Sequence, residues 1–350
     1  MLSQLAKQFA VCDRWFASAP CQTWPNRWFV HAATADGHEN NDPPHIPDVP
    51  TIYNRLENAS VAWKIYFHDM AQAHTLLQLS THLDHFHFYA QFRADCQSGT
   101  LPAYSFIEPQ YYSDFGHPEN DQHPPAVVTL GATDRRRLCL RARKHALAKD
   151  PSDHHLRRAR RHLRPRRAAG SGAPEPRRQN QAFAFDRYGV RVPTVIVSPY
   201  VKSGTIFRET TGQPYDHTSI IATVRKRFSL GAALTARDAN APDLDDVLML
   251  PTPNNVGPRR GVKALPYAPS VQAAAARQAQ PLNSMQKALL TLAANFPEAP
   301  GQDLQAHLAG VKATGLRPPP AETTTDVHAA RTYVKKQVGN LFQSTRKPQS

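Results

Sequence analysis

Three side chains able to do acid, base or nucleophilic work stand where the chain must turn. Thr23 lies two residues before Pro25, His123 directly precedes Pro124 and Pro125, and His217 sits between Asp216 and Thr218 at the head of an apolar-periodic run. Taken singly, Thr23 reads as a turn residue, His123 as a loop histidine and His217 as part of a helix cap. The cysteines Cys12, Cys21, Cys96 and Cys139 match no metal-ligand spacing. Cys12 and Cys21 allow at most one local bridge in an oxidising compartment. The remaining chemical resource is positive charge. Lys and Arg number 42 against 28 Asp and Glu, yet residues 135–178 hold 16 of the basic and 3 of the acidic side chains, so almost the whole surplus of +14 sits there. The basicity belongs to one segment, and the rest of the chain is close to neutral.

The elements that must position these groups follow from periodicity. Residues 2–9 read as a helix end, 51–57 as a helix, 62–67 as an aromatic strand, 86–94 as a helix, 104–108 as a short buried strand, 192–198 as an apolar strand and 217–228 as a helix capped near Asp216 or Thr218. Residues 23–31 join a proline turn to an apolar run, entering a helix or a strand. Alternating strands and helices predict an α/β fold with a mainly parallel sheet, whose functional residues gather beyond the strand ends. Residues 251–280 have the texture of a linker, and 281–350 are expected as a helical tail, packed back or extended. Its apolar stripes are Leu282, Met285, Leu289, Leu292 and Phe296, then Val327, Ala330, Val334, Val338 and Leu341. A hydrophobic fraction of 41% excludes global disorder and a fibrous chain. No apolar run approaches the roughly 20 residues that span a bilayer. Residues 1–20, broken by Asp13 and Arg14, do not read as an export signal, and no compartment is assigned.

Five blocks in order carry a resemblance. They are Phe9-Ala10-Val11-Cys12-Asp13-Arg14-Trp15-Phe16; Thr23-Trp24-Pro25-Asn26-Arg27; Asn120-Asp121-Gln122-His123-Pro124-Pro125; Phe185-Asp186-Arg187-Tyr188-Gly189-Val190-Arg191-Val192-Pro193 with Ser198-Pro199; and Asp216-His217-Thr218-Ser219. Over residues 1–130 and 180–250 the chain resembles the phosphoesterase family of bacterial phosphatidylcholine-hydrolysing phospholipases C, plant non-specific phospholipases C and related acid phosphatases. The resemblance implies an alkaline-phosphatase-like α/β/α sandwich over residues 1–250. It also implies a divalent metal ion, although the metal ligands are not assigned in this chain. In such enzymes a metal-assisted hydroxyl attacks phosphorus and water then clears the phosphoryl-enzyme. Carried over, it makes Thr23 the nucleophile, Asn26 an oxyanion donor and His123 the general acid, with Asn120, Asp121 and His217 at the substrate, Asp121 and His217 as ligands or orienters. The expected substrate is a phospholipid or a small phosphoester, reached by peripheral membrane contact without a transmembrane segment.

The chain departs from the family in two places. The family opens with a strand and a Glu-Asn pair, and Met1 falls downstream of it, so the domain is expected to be truncated at its N-terminus. Between residues 131 and 181 the family's Asp-Glu-His-Gly-Gly and Asp-His motifs are missing, as is every Phe, Tyr and Trp, so this stretch cannot build a core strand. Residues 155–166 can nevertheless be encoded so that reading one base later yields Thr-Tyr-Asp-Glu-His-Gly-Gly-Thr-Tyr-Asp-His, and residues 133–139 likewise yield Leu-Ile-Ala-Asp-Val-Tyr. Residues 131–180 are therefore expected to be an out-of-frame insert that disrupts the sandwich and puts arginines where hard oxygen ligands should hold a cation. The chain as written is then expected not to bind the family's metal and to be inactive. The alternatives are an inactive remnant or a basic polyanion-binding protein. No aromatic interleaves the basic run to stack bases, so no specific nucleic acid partner is expected.

Overall fold

The computed structural model describes residues 2–42, 45–114, 118–121, 184–210, 212–257, 270–298 and 302–343. Cys139, His123 and the expected insert at 131–180 lie outside these. In chain order the elements are α1 (Leu2–Gln8), β1 (Ala10–Cys12), β2 (Trp15–Phe16), α2 (Thr23–Ala32), α3 (Ile52–Asn58), β3 (Trp63–Phe67), β4 (Phe86–Phe88), α4 (Tyr89–Ser98) and β5 (Tyr104–Ile107). There follow β6 (Thr194–Ile196), β7 (Thr205–Phe207), β8 (Tyr215–Asp216), α5 (Thr218–Arg227), α6 (Ala236–Asn240), α7 (Val271–Gln278), α8 (Ser284–Ala294), α9 (Leu304–Thr314) and α10 (Val327–Gln343). The chain is thus mixed helix and sheet. It parts into two compact units, residues 1–40 with 127–266 and residues 41–126 with 267–350.

In the first unit β1 lies between β6 and β7. Ala10, Val11 and Cys12 pair antiparallel with Ile196, Val195 and Thr194, and parallel with Thr205, Ile206 and Phe207. Leu5 on α1, Phe9 and Val195 close an apolar cluster under this sheet. Separately, β2 pairs parallel with β8, Trp15 opposite Tyr215 and Phe16 opposite Asp216. The Trp15 and Tyr215 rings stack at 5.8 Å and 8°. Cys12 and Cys21 are buried free thiols, with no bridge between them.

The second unit holds a wholly parallel sheet, β4-β3-β5, with Ile65 opposite both Phe86 and Phe106. Residues 86–88, expected in a helix, form β4. Alternation of Phe86, His87 and Phe88 lets them add to β3, and the helix begins only at Tyr89. Thr51 caps α3 by accepting the Asn54 N–H while the Asn54 side chain accepts the Thr51 N–H, which satisfies two end groups at once. Both C-terminal apolar stripes are buried, from Leu282 through Phe296 and from Val327 through Leu341. They pack back on this unit. The Tyr112 hydroxyl donates to the Gln286 carbonyl at 2.6 Å, the Gln286 amide donates to the Tyr111 carbonyl at 2.8 Å, and Phe342 stacks on Phe67. Each large apolar side chain so covered contributes about 1.5–3 kcal/mol. Pairing Gln286 with backbone avoids the cost of burying a bare amide.

Candidate active site

The site begins with a tight turn after β2. Ala17 exchanges backbone hydrogen bonds with Val190 and Gly189, both at 2.8 Å, which brings residue 189 against the turn. A Cβ there would lie 2.4 Å from the Ala19 carbonyl oxygen and 2.9 Å from the Ala17 Cβ, so only glycine fits. Asn26 then clamps the turn from inside the next helix. Its Oδ1 accepts the Ala19 N–H at 3.1 Å, and its Nδ2 donates to the carbonyls of Ala19, Cys21 and Gln22 at 3.1–3.2 Å. The clamp delivers Thr23, partly exposed, as the first residue of the ten-residue α2. Backbone N–H groups at that end lack helical partners, and the helix dipole favours negative charge there. A hydroxyl and a phosphate are both suited to the position.

Because β8 runs parallel to β2, its end faces the same way. It passes directly through His217 into α5. Asp216 is buried; its Oδ1 accepts from the Thr218 N–H at 3.1 Å and the Thr218 hydroxyl at 2.6 Å, while its Oδ2 has no hydrogen-bond partner among the described residues. The Trp15 indole donates to His217 Nδ1 over 3.4 Å, so the neutral ring carries its hydrogen on Nε2. Behind this lies Arg237, 1% exposed, which donates to the Phe185 carbonyl and lies over the rings of Tyr188 and Phe29 at 5.0 and 5.7 Å. Burial, with the Asp216 charge, pushes the Tyr188 hydroxyl up to about 12, so it stays a neutral hydrogen-bonding group.

Thr23, Asn26 and His217 therefore all lie in the first unit, the first two in α2 and the third directly after β8. Asn120 and Asp121 fall in the second. Asn120 is tied to Gln110 in both directions, at 2.8 and 3.0 Å, and Asp121 is buried. Arg237 was not foreseen, because a cation in a short helix far along the sequence gives no sign that it will be enclosed by aromatic rings. The same holds for Glu57, His82 and His85. Among the described residues they form the one group of three metal-ligating side chains whose ligand atoms converge, all within 4.8 Å, and they lie in the second unit. Among the described residues of the first unit, carboxylate oxygens of Asp13, Glu209 and Asp216 are buried without a hydrogen-bond partner, but no three ligand atoms there converge into the donor set of a divalent metal.

The first unit thus sets a hydroxyl at the start of α2 and a histidine between β8 and α5 on a mixed helix-and-sheet frame. The model of the phosphoesterase family matches residues 1–139 and 158–231, more than half of the chain, and the chain belongs to that family. Non-specific phospholipase C3 of Arabidopsis thaliana is 31% identical over 313 residues, 84% of this chain and 59% of its own length. Non-specific phospholipase C5 of the same plant is 32% identical over 84% of this chain and 58% of its own. Phospholipase C B of Mycobacterium tuberculosis is 25% identical over 72% of this chain and 55% of its own. The chain thus spans less than three-fifths of the length of these curated relatives.

Proposed function

We propose that this chain is by descent a phosphoester hydrolase of the phospholipase C type, built to cleave the phosphodiester of a phospholipid such as phosphatidylcholine and release the phosphorylated headgroup, and inactive as written until residues 131–180 are read in the restored frame. The observation that carries the reading is the position of Thr23 at the first residue of α2, on a turn clamped by Asn26, in the same unit as the β8 end that bears Asp216 and His217. In the proposed reaction the Thr23 hydroxyl gives its proton to water as its Oγ bonds to phosphorus and the bond to the diacylglycerol oxygen breaks, His123 protonates that leaving oxygen, and Thr23 Oγ regains a proton when water later displaces it. Water then displaces Thr23 and frees the headgroup phosphate. Both amide hydrogens of Asn26 are spent on carbonyls, so its part in this reading is to shape the turn. His217 orients the substrate phosphate through Nε2, and Asn120 and Asp121 serve the headgroup. The names of the phospholipase relatives support the substrate class. Peripheral contact with a lipid surface suffices, and among the described residues no helix is long and apolar enough to cross a membrane.

The reading extends to residues 131–180. In the restored frame the Asp-Glu-His-Gly-Gly and Asp-His motifs supply the oxygen and imidazole ligands that the described residues near Thr23 lack, and complete an alkaline-phosphatase-like sandwich. The test compares the chain as written with one whose 131–181 stretch is read one base later, each incubated with phosphatidylcholine vesicles while phosphocholine release is followed. The restored chain is expected to turn over and to lose about a thousandfold on Thr23→Ala or on chelation. The chain as written is expected at background. Equal release by both chains refutes the frame reading, and turnover that survives Thr23→Ala refutes the nucleophile.

A further inference from the structure

The geometry points to a zinc site in the second unit, formed by Glu57, His82 and His85 and organised by Trp63. His82 caps and His85 ends a single turn of 3-10 helix, Leu83–His85, closed by the His85 N–H on the His82 carbonyl at 3.0 Å. In such a turn residues three apart eclipse, so both imidazoles issue on one side. Glu57 reaches the same place from the last turn of α3.

Trp63 holds all three. Its carbonyl accepts from His85 Nδ1 at 2.9 Å, which puts the hydrogen of the neutral ring on that nitrogen and leaves Nε2 as a bare lone pair. Its indole N–H donates to Glu57 Oε2 at 2.9 Å. Its ring stacks on His85 at 4.0 Å and 17°, and meets His82 edge-on at 6.0 Å. A histidine whose far nitrogen donates to a backbone carbonyl and a carboxylate held by its own donor are the supports that metal ligands use. His85 Nε2 stands 3.7 Å from Glu57 Oε2 and 3.8 Å from Asp84 Oδ2. Ligands about 2.0–2.1 Å from a tetrahedral zinc lie about 3.3 Å apart, so the three close by small side-chain rotations. Two imidazoles and one carboxylate suit zinc over magnesium or calcium, and water or Asp84 fills the fourth position. The Glu57 and His85 side chains are 44% and 22% exposed, which leaves an entry path. The site lies in the unit without Thr23 and does not rest on the hydrolase reading.

The test uses chelator-stripped full-length chain. Zinc titrated by calorimetry is expected to fill one tight site, and cobalt in its place to give the intense visible absorption of a four-coordinate ion. The Glu57→Gln/His82→Asn double variant keeps an acceptor for the Trp63 indole and is expected to lose that one equivalent while melting with the wild type in chelator. Trp63→Phe, which removes a positioning donor, is expected to weaken zinc by about tenfold or more. A double variant that binds zinc as the wild type does places the ion elsewhere among the 17 histidines and overturns the proposal. So does a weak, six-coordinate cobalt spectrum of the wild type, a result that needs no variant to fold.

Discussion

His74 is an imidazole sealed among aromatic rings, and its replacement by phenylalanine should change how the second unit answers to acid. It is 2% exposed, stacked on Phe86 at 4.4 Å and 27°, and flanked by Phe67, Phe296 and Phe342 at 5.6–5.8 Å. Burial pushes its pKa down from 6.5 to about 3, opposed only by the Ala71 backbone. As the pH falls below 6.5 the unfolded ring takes up a proton that the folded ring refuses until about pH 3. The unfolded state then holds more protons, so stability contributed by the neutral ring is full above pH 6.5 and drains away toward pH 3. The whole shift is worth about 5 kcal/mol, of which about 2 kcal/mol is lost between pH 7 and pH 5. Asp69 runs the other way. Burial raises its carboxyl to about 6 against the three backbone N–H groups it accepts from Met70, Tyr111 and Tyr112, so the folded state gains protons as the pH falls through 6. Its partial exposure limits that gain to about 1 kcal/mol. The wild type should therefore lose a net of about 1 kcal/mol over this interval from the pair. His74→Phe removes only the losing partner, so its stability relative to wild type should rise by about 2 kcal/mol from pH 7 to pH 5. Urea unfolding of both proteins at the two pH values, followed by ellipticity, measures the difference and cancels the remaining carboxylates. If the two proteins lose stability in parallel to within about 0.5 kcal/mol, His74 is not a sealed neutral ring and the reasoning fails.

Gly189→Ala places a Cβ 2.4 Å from the Ala19 oxygen, and the turn must move, costing about 1–3 kcal/mol in denaturant titration and, in a frame-restored chain, most of the turnover. Asn26→Ala frees three carbonyls and one N–H of that turn and should cost about 2–4 kcal/mol, with kcat falling more than substrate affinity. Burial acts to raise the Asp95 pKa, but hydrogen bonds from Tyr66, Lys64 and Gln91 overcome it and hold the carboxyl at about 2, so its contribution is present above pH 3.8 and lost as the pH falls through 2. Asp95→Ala should cost about 2–4 kcal/mol at pH 7 and flatten the acid limb below pH 4 in the same titration.

The parts legible in sequence were those written at short range. The alternation of Trp63, Ile65 and Phe67 marks β3, residues 51–57 read as the helix that forms as α3, and the two C-terminal stripes at three- and four-residue intervals are the faces that become buried. Residues 86–94 misled because a three-residue strand runs into a helix with no break. Periodicity over nine residues averages the two, and only the neighbouring β3 decides that Phe86 to Phe88 extend. At the site, Thr23 and His217 were legible as motifs, whereas their common edge depends on β2 meeting β8 about 200 positions away. Gly189 was visible as part of a block, but the need for glycine appears only when the Ala19 oxygen is placed against it.

The Glu57, His82 and His85 cluster shows why a spacing rule fails for such a site. The two histidines are three apart, a separation that in a strand would set the rings on opposite faces, and Glu57 is 25 positions before His82. What joins them is a single tryptophan that offers a carbonyl to one ligand, an indole N–H to the second and a ring face or edge to both imidazoles. Trp63 in turn is fixed because it opens β3, the central strand, and pairs there with Tyr104 of β5. The ligands are thus positioned by sheet order, a long-range property. The sequence alone marks Trp63 as a core aromatic, and it is one; the same burial that makes it core immobilises its two polar groups where they orient the site.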